Sequence, residues 1–172
     1  MKIALCLHGK FDSLTDPSSK GNDGYNHIKN RIMSKCSPDV FVHSWDEQEK
    51  ENIVNLYNPK IYKFEKQINF NQLTQHLGVI PNPPRTPNTI LSHFYSVSES
   101  IKLACEYDDY DIIIKARFDL GRINRATSGP HNANNPYPVQ CITFDPELDM
   151  NQLHMANWQY LDSDGPADMW FY

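Results

Sequence analysis

Three charged residues lie at alternate positions near the end of an apolar segment, YDIIIKARFDL. They are Lys115, Arg117 and Asp119. Successive side chains of a strand point to opposite faces, so the three charges are predicted to share one face. The other face is predicted to be apolar and consists of Ile112, Ile114, Ala116, Phe118 and Leu120. A buried charge without a partner is very costly, so the three side chains must pair, reach water or bind a ligand.

A lysine and an arginine beside an aspartate suit a site for a diphosphate and a metal ion. A guanidinium group binds phosphate oxygens in a fork, and a carboxylate is a suitable ligand for magnesium or manganese. Lys115 and Arg117 are therefore candidate substrate-binding residues, and Asp119 is a candidate catalytic residue and metal ligand. The alternative is a structural ion pair between Arg117 and Asp119, because ion pairs also cluster charge.

The elements that would position these residues alternate between strand and helix. The segment KIALCLHG is almost continuously apolar and ends in a glycine, a pattern typical of a strand buried on both faces of a parallel sheet. The predicted strands are residues 2–9, 39–46, 58–66, 111–118 and 139–145, and the predicted helices are residues 25–36, 47–57 and a longer one that starts at Thr86 and Pro87. The longer helix repeats apolar residues at helical spacing, namely Ile90, Phe94, Val97, Ile101 and then Ala104 or Cys105. We expect an α/β domain with a mostly parallel sheet and with strand 111–118 at its centre.

The carboxyl ends of the predicted strands carry further candidate residues, because ligands of open α/β sheets bind beyond those ends. His8 and Gly9 end the first strand, where a glycine either lets the backbone approach a nucleotide or simply makes a tight turn. Trp45 and Asp46 end the second strand and could contact a base or a ribose. For Trp45 we favour a packing role, since tryptophan is usually largely buried.

Composition excludes several classes of function. The net charge of -5 argues against a general binder of nucleic acid, and no segment approaches the roughly 20 apolar residues of a membrane span. The four cysteines are widely spaced and no secretory leader precedes them, which favours reduced thiols in a cytoplasm. His43 and His93 lack partners at zinc-ligand spacing and are predicted to be structural or exposed. At this length we expect one soluble domain, residues 1–172.

Two segments that follow in order, DVFVHSWD and SHFYSVSESIKLACEYDDYDIIIKARFDL, support a more specific interpretation. They resemble the bacterial and viral glycosyltransferases of capsule and lipopolysaccharide type. That family has a strand ending in histidine, a small residue, tryptophan and aspartate, and a later strand ending in basic-x-arginine-x-aspartate-leucine. The opening IALCLHGKFDS is similar to the family's first strand, which usually has an arginine three residues after its glycine. Here that position is Asp12, and Lys10 is the candidate substitute at the donor phosphates.

The resemblance implies a glycosyltransferase A-like fold, which is a Rossmann-like three-layer α/β sandwich that binds a nucleotide sugar. The enzyme would move a sugar from this donor to a glycan or another surface-polysaccharide acceptor, in the cytoplasm of a bacterium or a virus-infected host cell. A divalent cation, manganese or magnesium, would lie between Asp119 and the donor diphosphate. The family's usual Asp-x-Asp motif is absent at this position, and its letters occur instead at Asp162 to Asp164.

The final segment, GPADMWFY, resembles the acceptor side of the same family. It nominates Asp168 as the catalytic residue that orients the acceptor hydroxyl or takes its proton. The alternative is that Asp168 caps a final helix. Because family members usually continue beyond this point, the domain is interpreted as truncated at its carboxyl end. A catalytically degenerate nucleotide-sugar-binding domain and an unrelated α/β interaction module are the alternatives to an active enzyme.

Overall fold

A computed structural model describes residues 1–11, 20–76 and 86–120, together with residues 144, 147, 160, 161, 165 and 166. The strands are β1 (Ile3–Gly9), β2 (Asp39–Ser44), β3 (Ile61–Phe64), β4 (Ile112–Arg117), β5 (Tyr160–Leu161) and β6 (Gly165–Pro166). The α-helices are α1 (Lys20–Ile28), α2 (Ser34–Cys36), α3 (Lys50–Tyr57), α4 (Asn71–Thr74) and α5 (Pro87–Tyr107). A π-helical turn, Lys29–Met33, joins α1 to α2, and a 3-10 turn, Glu47–Glu49, precedes α3. None of the described helices is long and apolar enough to span a bilayer.

Four parallel strands form the main sheet in the order β3-β2-β1-β4. The predicted α/β class with a parallel sheet is therefore confirmed. The central position predicted for β4 is wrong for the described sheet, because β4 pairs with β1 alone and lies at one end of the order. The burial of the two strands agrees with this order. All six residues from Ile3 to His8 are buried, whereas alternate residues of β4 are partly exposed.

One face of the sheet packs against the helical segment 20–36 and against α3. The strands contribute the residues predicted for the apolar face of β4, and Ile28, Ile32, Ile53 and Tyr57 come from the helices. Close approach of α1 depends on Gly24, where a Cβ atom would lie only 1.8 Å from the Phe118 carbonyl oxygen. The helix predicted at 25–36 begins earlier in the structure, at Lys20. Through Gly24 it packs against the end of β4.

The other face of the sheet packs against α5, which makes the molecule a three-layer arrangement. The start of α5 is as predicted, because Thr86 caps the helix by accepting a hydrogen bond from the Thr89 N–H, and Pro87 follows it. The predicted packing face is only partly right: Ala104 is buried and Ile101 packs against the core on this side of the sheet, but Phe94 is 63% exposed. The buried residues of α5 are Ser92, Ser96, Ser100 and Ala104. Small side chains at every fourth position let the helix lie close to the sheet.

The chain after residue 120 is described at few positions. Of the strand predicted at 139–145, only Phe144 belongs to the described residues. It is buried in the core, and its N–H donates to the Arg31 carbonyl oxygen at 3.0 Å. β5 and β6 form an antiparallel pair. The Asp-x-Asp letters at 162–164 and the candidate Asp168 lie outside the described residues.

Candidate functional site

The carboxyl ends of the four parallel strands lie at one edge of the sheet. The strand order reverses between β1 and β4, because β2 and β3 lie on one side of β1 and β4 lies on the other. In open α/β sheets such a reversal leaves a crevice in which ligands bind. His8 of β1 is in register with Arg117 of β4, so both lie at this reversal, and Gly9 follows directly.

Gly9 makes a turn that other residues would adopt only with strain. Its φ of 98° lies in the region that favours glycine. Its N–H donates to the Ser96 hydroxyl oxygen at 3.0 Å, and its carbonyl oxygen accepts from the Ser44 hydroxyl at 2.8 Å and the Trp45 N–H at 3.4 Å. The tight-turn interpretation of Gly9 is thus supported. A Cβ atom there would meet no heavy atom of the described residues within 4 Å, so that part of the chain leaves space beside the turn.

Arg117 and Asp119 form the ion pair that was one of the two interpretations of their spacing. Arg117 Nε donates to one carboxylate oxygen and Nη2 donates to the other, both at 2.8 Å. The Arg117 side chain is 45% exposed and that of Asp119 is 18% exposed. A cation at Asp119 would have to share the carboxylate with this guanidinium group. Within residues 1–11, 20–76 and 86–120 and the six isolated positions, no group of three histidine, cysteine, aspartate or glutamate residues is placed to hold a metal ion.

His8 is buried under the same corner of the sheet. Its ring packs edge-on against His93 of α5, with the ring centroids 5.1 Å apart. Burial holds the pKa of His8 well below its usual value, and His93, Lys115 and Arg117 lower it further. His8 is therefore neutral at neutral pH. The charges of Lys115 and Arg117 act on His8 at the end of β1, and the carboxylate of Asp119 offsets the charge of Arg117.

Lys10 and Asp46 lie at the same edge, just after their strands. Lys10 is exposed and follows Gly9 directly. Asp46 is half-buried, and its N–H donates to the Ser44 hydroxyl oxygen at 3.1 Å. The neighbouring Trp45 stacks on Tyr95, with ring centroids 5.4 Å apart and an angle of 24° between the rings. The packing role predicted for Trp45 agrees with this contact.

A partly buried hydrogen-bond network behind the site was not predicted from the sequence. His43 Nδ1 lies 2.7 Å from the Ser96 hydroxyl oxygen, and His43 Nε2 lies 2.9 Å from Glu65 Oε1. Lys63 lies 3.1 Å from the same Glu65 oxygen and also donates to Glu99 and Tyr95. His43 was predicted to be structural or exposed, and the structure shows that it is completely buried. The serine, histidine and glutamate come from α5, β2 and the end of β3, so no local sequence pattern could have joined them.

The charges of this network are set by burial and by its hydrogen bonds. Burial lowers the pKa of His43, although the hydrogen bond to Glu65 opposes the shift. Burial would raise the pKa of Glu65, but hydrogen bonds from His43 and Lys63 outweigh it and the pKa is lowered. A neutral histidine therefore donates from Nε2 to an ionised carboxylate. The set is not a hydrolase triad, because the Ser96 hydroxyl is completely buried and already bound to Gly9.

The structure brings most of the predicted site residues to one edge of the sheet. His8, Gly9, Arg117 and Asp119 lie at the carboxyl ends of β1 and β4, and Lys10 and Asp46 lie along the same edge. Lys115 lies two residues before Arg117 on β4, in register with Cys6 of β1. Asp168 lies outside the described residues. The chain matches no protein-family model, no curated protein and no solved structure.

Proposed function

We propose that this protein is a glycosyltransferase of glycosyltransferase A-like, Rossmann-like fold that transfers a sugar from a nucleotide-sugar donor to a glycan acceptor. The observation that carries the proposal is the reversal of strand order between β1 and β4, with Gly9 on one strand and Arg117 on the other. Such reversals are where doubly wound sheets bind nucleotides. The Gly9 turn supplies space, and the basic residues supply positive charge.

In this proposal the donor diphosphate lies beside the Gly9 turn and faces Lys115, Arg117 and Lys10. Asp119 occupies the Nε and Nη2 groups of Arg117, so a phosphate oxygen would bind at Nη1. The departing nucleoside diphosphate gains negative charge in the transition state. Cationic side chains fixed beside it stabilise that charge without any proton transfer.

Asp119 would hold a manganese or magnesium ion against the diphosphate. These ions commonly bind one or two carboxylates and complete their coordination with phosphate oxygens and water, so a single carboxylate beside a diphosphate fits them. The ion would add Lewis-acid stabilisation of the leaving group. For this, Asp119 would exchange one of its hydrogen bonds from Arg117 for the metal.

On the acceptor side, Asp168 is proposed as the residue that orients the acceptor hydroxyl or takes its proton. The reaction would belong to the synthesis of a surface polysaccharide, in the cytoplasm of a bacterium or of a virus-infected host cell. Replacement of Asp168 by asparagine preserves a helix cap and removes a base. We expect Asp168→Asn to fold normally and to lose transfer activity. Normal turnover by this variant would leave the helix cap as its role.

The test of donor binding is calorimetry with UDP-, GDP-, CDP- and dTDP-sugars, with and without manganese. We expect one nucleotide class to bind, and manganese to strengthen its binding. Asp119→Asn should remove the effect of manganese because it removes a charged ligand and conserves shape. Asp109→Asn is the matched control, since Asp109 is an exposed aspartate just before β4, at the other end of that strand. Equal affinity of the unaltered protein and Asp119→Asn, with and without manganese, would show that Asp119 is structural.

The closed Arg117–Asp119 pair favours one second candidate, a degenerate domain that binds the donor without transferring its sugar. Transfer and hydrolysis assays on the donor that binds distinguish the two candidates. Binding with no turnover across a panel of glycan acceptors would establish the degenerate domain. Absence of binding to every nucleotide sugar would leave only the unrelated interaction module.

A further inference from the structure

The Ser96 hydroxyl connects three elements at the edge of the candidate site. It accepts the Gly9 N–H at the end of β1 and lies 2.7 Å from His43 Nδ1 on β2, while Ser96 itself belongs to α5. The other side of His43 is 2.9 Å from Glu65, just after β3. One continuous line of hydrogen bonds thus runs from the Gly9 turn across three neighbouring strands.

The direction of each hydrogen bond in this line is determined by the one before it. An ionised Glu65 can only accept, so His43 donates to it from Nε2. Nδ1 of the neutral ring is then an acceptor, and the Ser96 hydroxyl donates to it. The remaining lone pairs of the hydroxyl accept the Gly9 N–H. Lys63 fixes the far end, because it pairs with both Glu65 and Glu99.

This line of hydrogen bonds favours the unusual conformation of Gly9. The Ser96 oxygen satisfies the Gly9 N–H within a partly buried setting, and the Ser44 hydroxyl satisfies the Gly9 carbonyl oxygen. Loss of the Ser96 oxygen would leave a partly buried donor without its partner, which is costly. Other turn geometries would then compete with the one at φ 98°.

We propose that Ser96 and His43 are positioning residues for the donor diphosphate, acting by holding the Gly9 turn in the conformation that leaves space for the phosphates. Both residues are completely buried, so they act through Gly9 and do not touch the ligand. This inference depends on the proposed function, because it assigns a role at the same site.

The test compares two serines of the same helix. Ser100 is also completely buried and lies four residues after Ser96, but its hydroxyl donates to the Val97 carbonyl oxygen within α5. Ser96→Ala and Ser100→Ala therefore make the same chemical change on the same face of the helix, and only the first removes the bond to Gly9. The measurements are the affinity for UDP and GDP by calorimetry with manganese, and hydrogen exchange of the Gly9 amide by NMR without ligand.

We expect Ser96→Ala to bind the diphosphate about tenfold more weakly, the factor typical of one lost hydrogen bond, and to exchange the Gly9 amide at least about tenfold faster. Ser100→Ala should stay within about twofold of the unaltered protein in both measurements. If Ser96→Ala does not fold, Ser96→Cys is measured instead, since a thiol conserves the shape and weakens the hydrogen bonds.

The outcomes separate the two proposals. If the unaltered protein binds a diphosphate and Ser96→Ala binds it equally well, the positioning role is overturned and the proposed function stands. Equal loss of affinity in Ser96→Ala and Ser100→Ala would also overturn it, because the effect would then be a general one of α5. If the unaltered protein binds neither UDP nor GDP nor any of the nucleotide sugars, the proposed function fails, and the positioning role fails with it.

Discussion

The two faces of the main sheet differ in what they bury. The face toward α1 and α3 is apolar along β1 from Ile3 to Leu7 and along β4 from Ile112 to Phe118. The face toward α5 is apolar only near the amino ends of the strands, and it carries His8 and His43 near the carboxyl ends, where Ser96 of α5 contacts it. Buried apolar groups need only close packing, whereas buried polar groups also need partners. The first face therefore supplies most of the stability, and the second supplies the candidate site.

The largest effect should come from a cavity on the apolar face. Leu5 is completely buried in the central strand, so Leu5→Ala should lower the free energy of unfolding by about 2–5 kcal/mol. Urea denaturation at pH 7 measures this change. Because Leu5 carries no titratable group, the dependence of stability on pH should keep its shape. A loss below about 1 kcal/mol would contradict the assignment of stability to this face.

The polar face should make stability fall in acid. The pKa values of His8 and His43 are lowered in the folded protein, so below about pH 6.5 the unfolded chain binds protons that the folded chain does not. The free energy of unfolding is therefore highest above that pH. It decreases as the pH falls, by up to about 1.4 kcal/mol per pH unit for each histidine. Urea denaturation between pH 7 and 5 measures the slope.

The control for this acid effect is His43→Gln, which replaces the imidazole ring with an amide that does not titrate. We expect a lower stability at pH 7 and a shallower slope between pH 7 and 5. Glu65 extends the loss to lower pH, since its lowered pKa makes it bind its proton less readily when folded. A slope as steep in His43→Gln as in the unaltered protein would show that His43 does not contribute to it.

The Arg117–Asp119 pair should matter less for stability than for binding. Arg117 is nearly half exposed, and ion pairs in contact with solvent contribute about 0–1 kcal/mol. Asp119→Asn should therefore change the thermal unfolding midpoint by only a few degrees. A loss above about 2 kcal/mol would mean that the aspartate belongs to the structural part of this face.

The smallest effect is expected at Phe94. This side chain is 63% exposed on α5 and faces away from the sheet, so Phe94→Ser should change the free energy of unfolding by no more than about 0.5 kcal/mol. The same change at the buried Phe41 of β2 is the contrasting variant. Equal losses in the free energy of unfolding for Phe94→Ser and Phe41→Ser would show that Phe94 belongs to the packing face of α5.

The strands and the class of fold could be predicted because each strand has a recognisable hydrophobic pattern in its own segment of sequence. The unbroken apolar run of β1 and the alternation along β4 need no knowledge of the rest of the chain. The packing face of α5 could not, because Phe94 and Val97 fit a helical stripe as well as the serines do, and only the sheet beneath decides between them. Strand order was missed for a related reason, since it depends on which neighbours each strand finds.

The candidate site was predictable only in part. The charges of Arg117 and Asp119 were visible as an alternating pattern, and the structure shows that they bind each other. The line of hydrogen bonds from Gly9 through Ser96 and His43 to Glu65 could not be predicted. Its members are far apart in sequence, and nothing about each residue type indicates the others as partners. Spacing reveals side chains that share a strand, and it reveals nothing of partners on different elements.

The pairing of β1 with β4 also has a consequence for how the protein folds. Ile3 is in register with Ile112, so the first and the last strand of the main sheet must meet across more than a hundred residues of chain. Contacts between such distant residues form slowly, because the loop between them must be closed before they contribute any stability. During synthesis β1 can pair with β4 only after β4 has left the ribosome, whereas β2 and β3 are available to the sheet earlier. We therefore expect the pairing of His8 with Arg117, next to Gly9, to be among the last contacts of the described sheet to form.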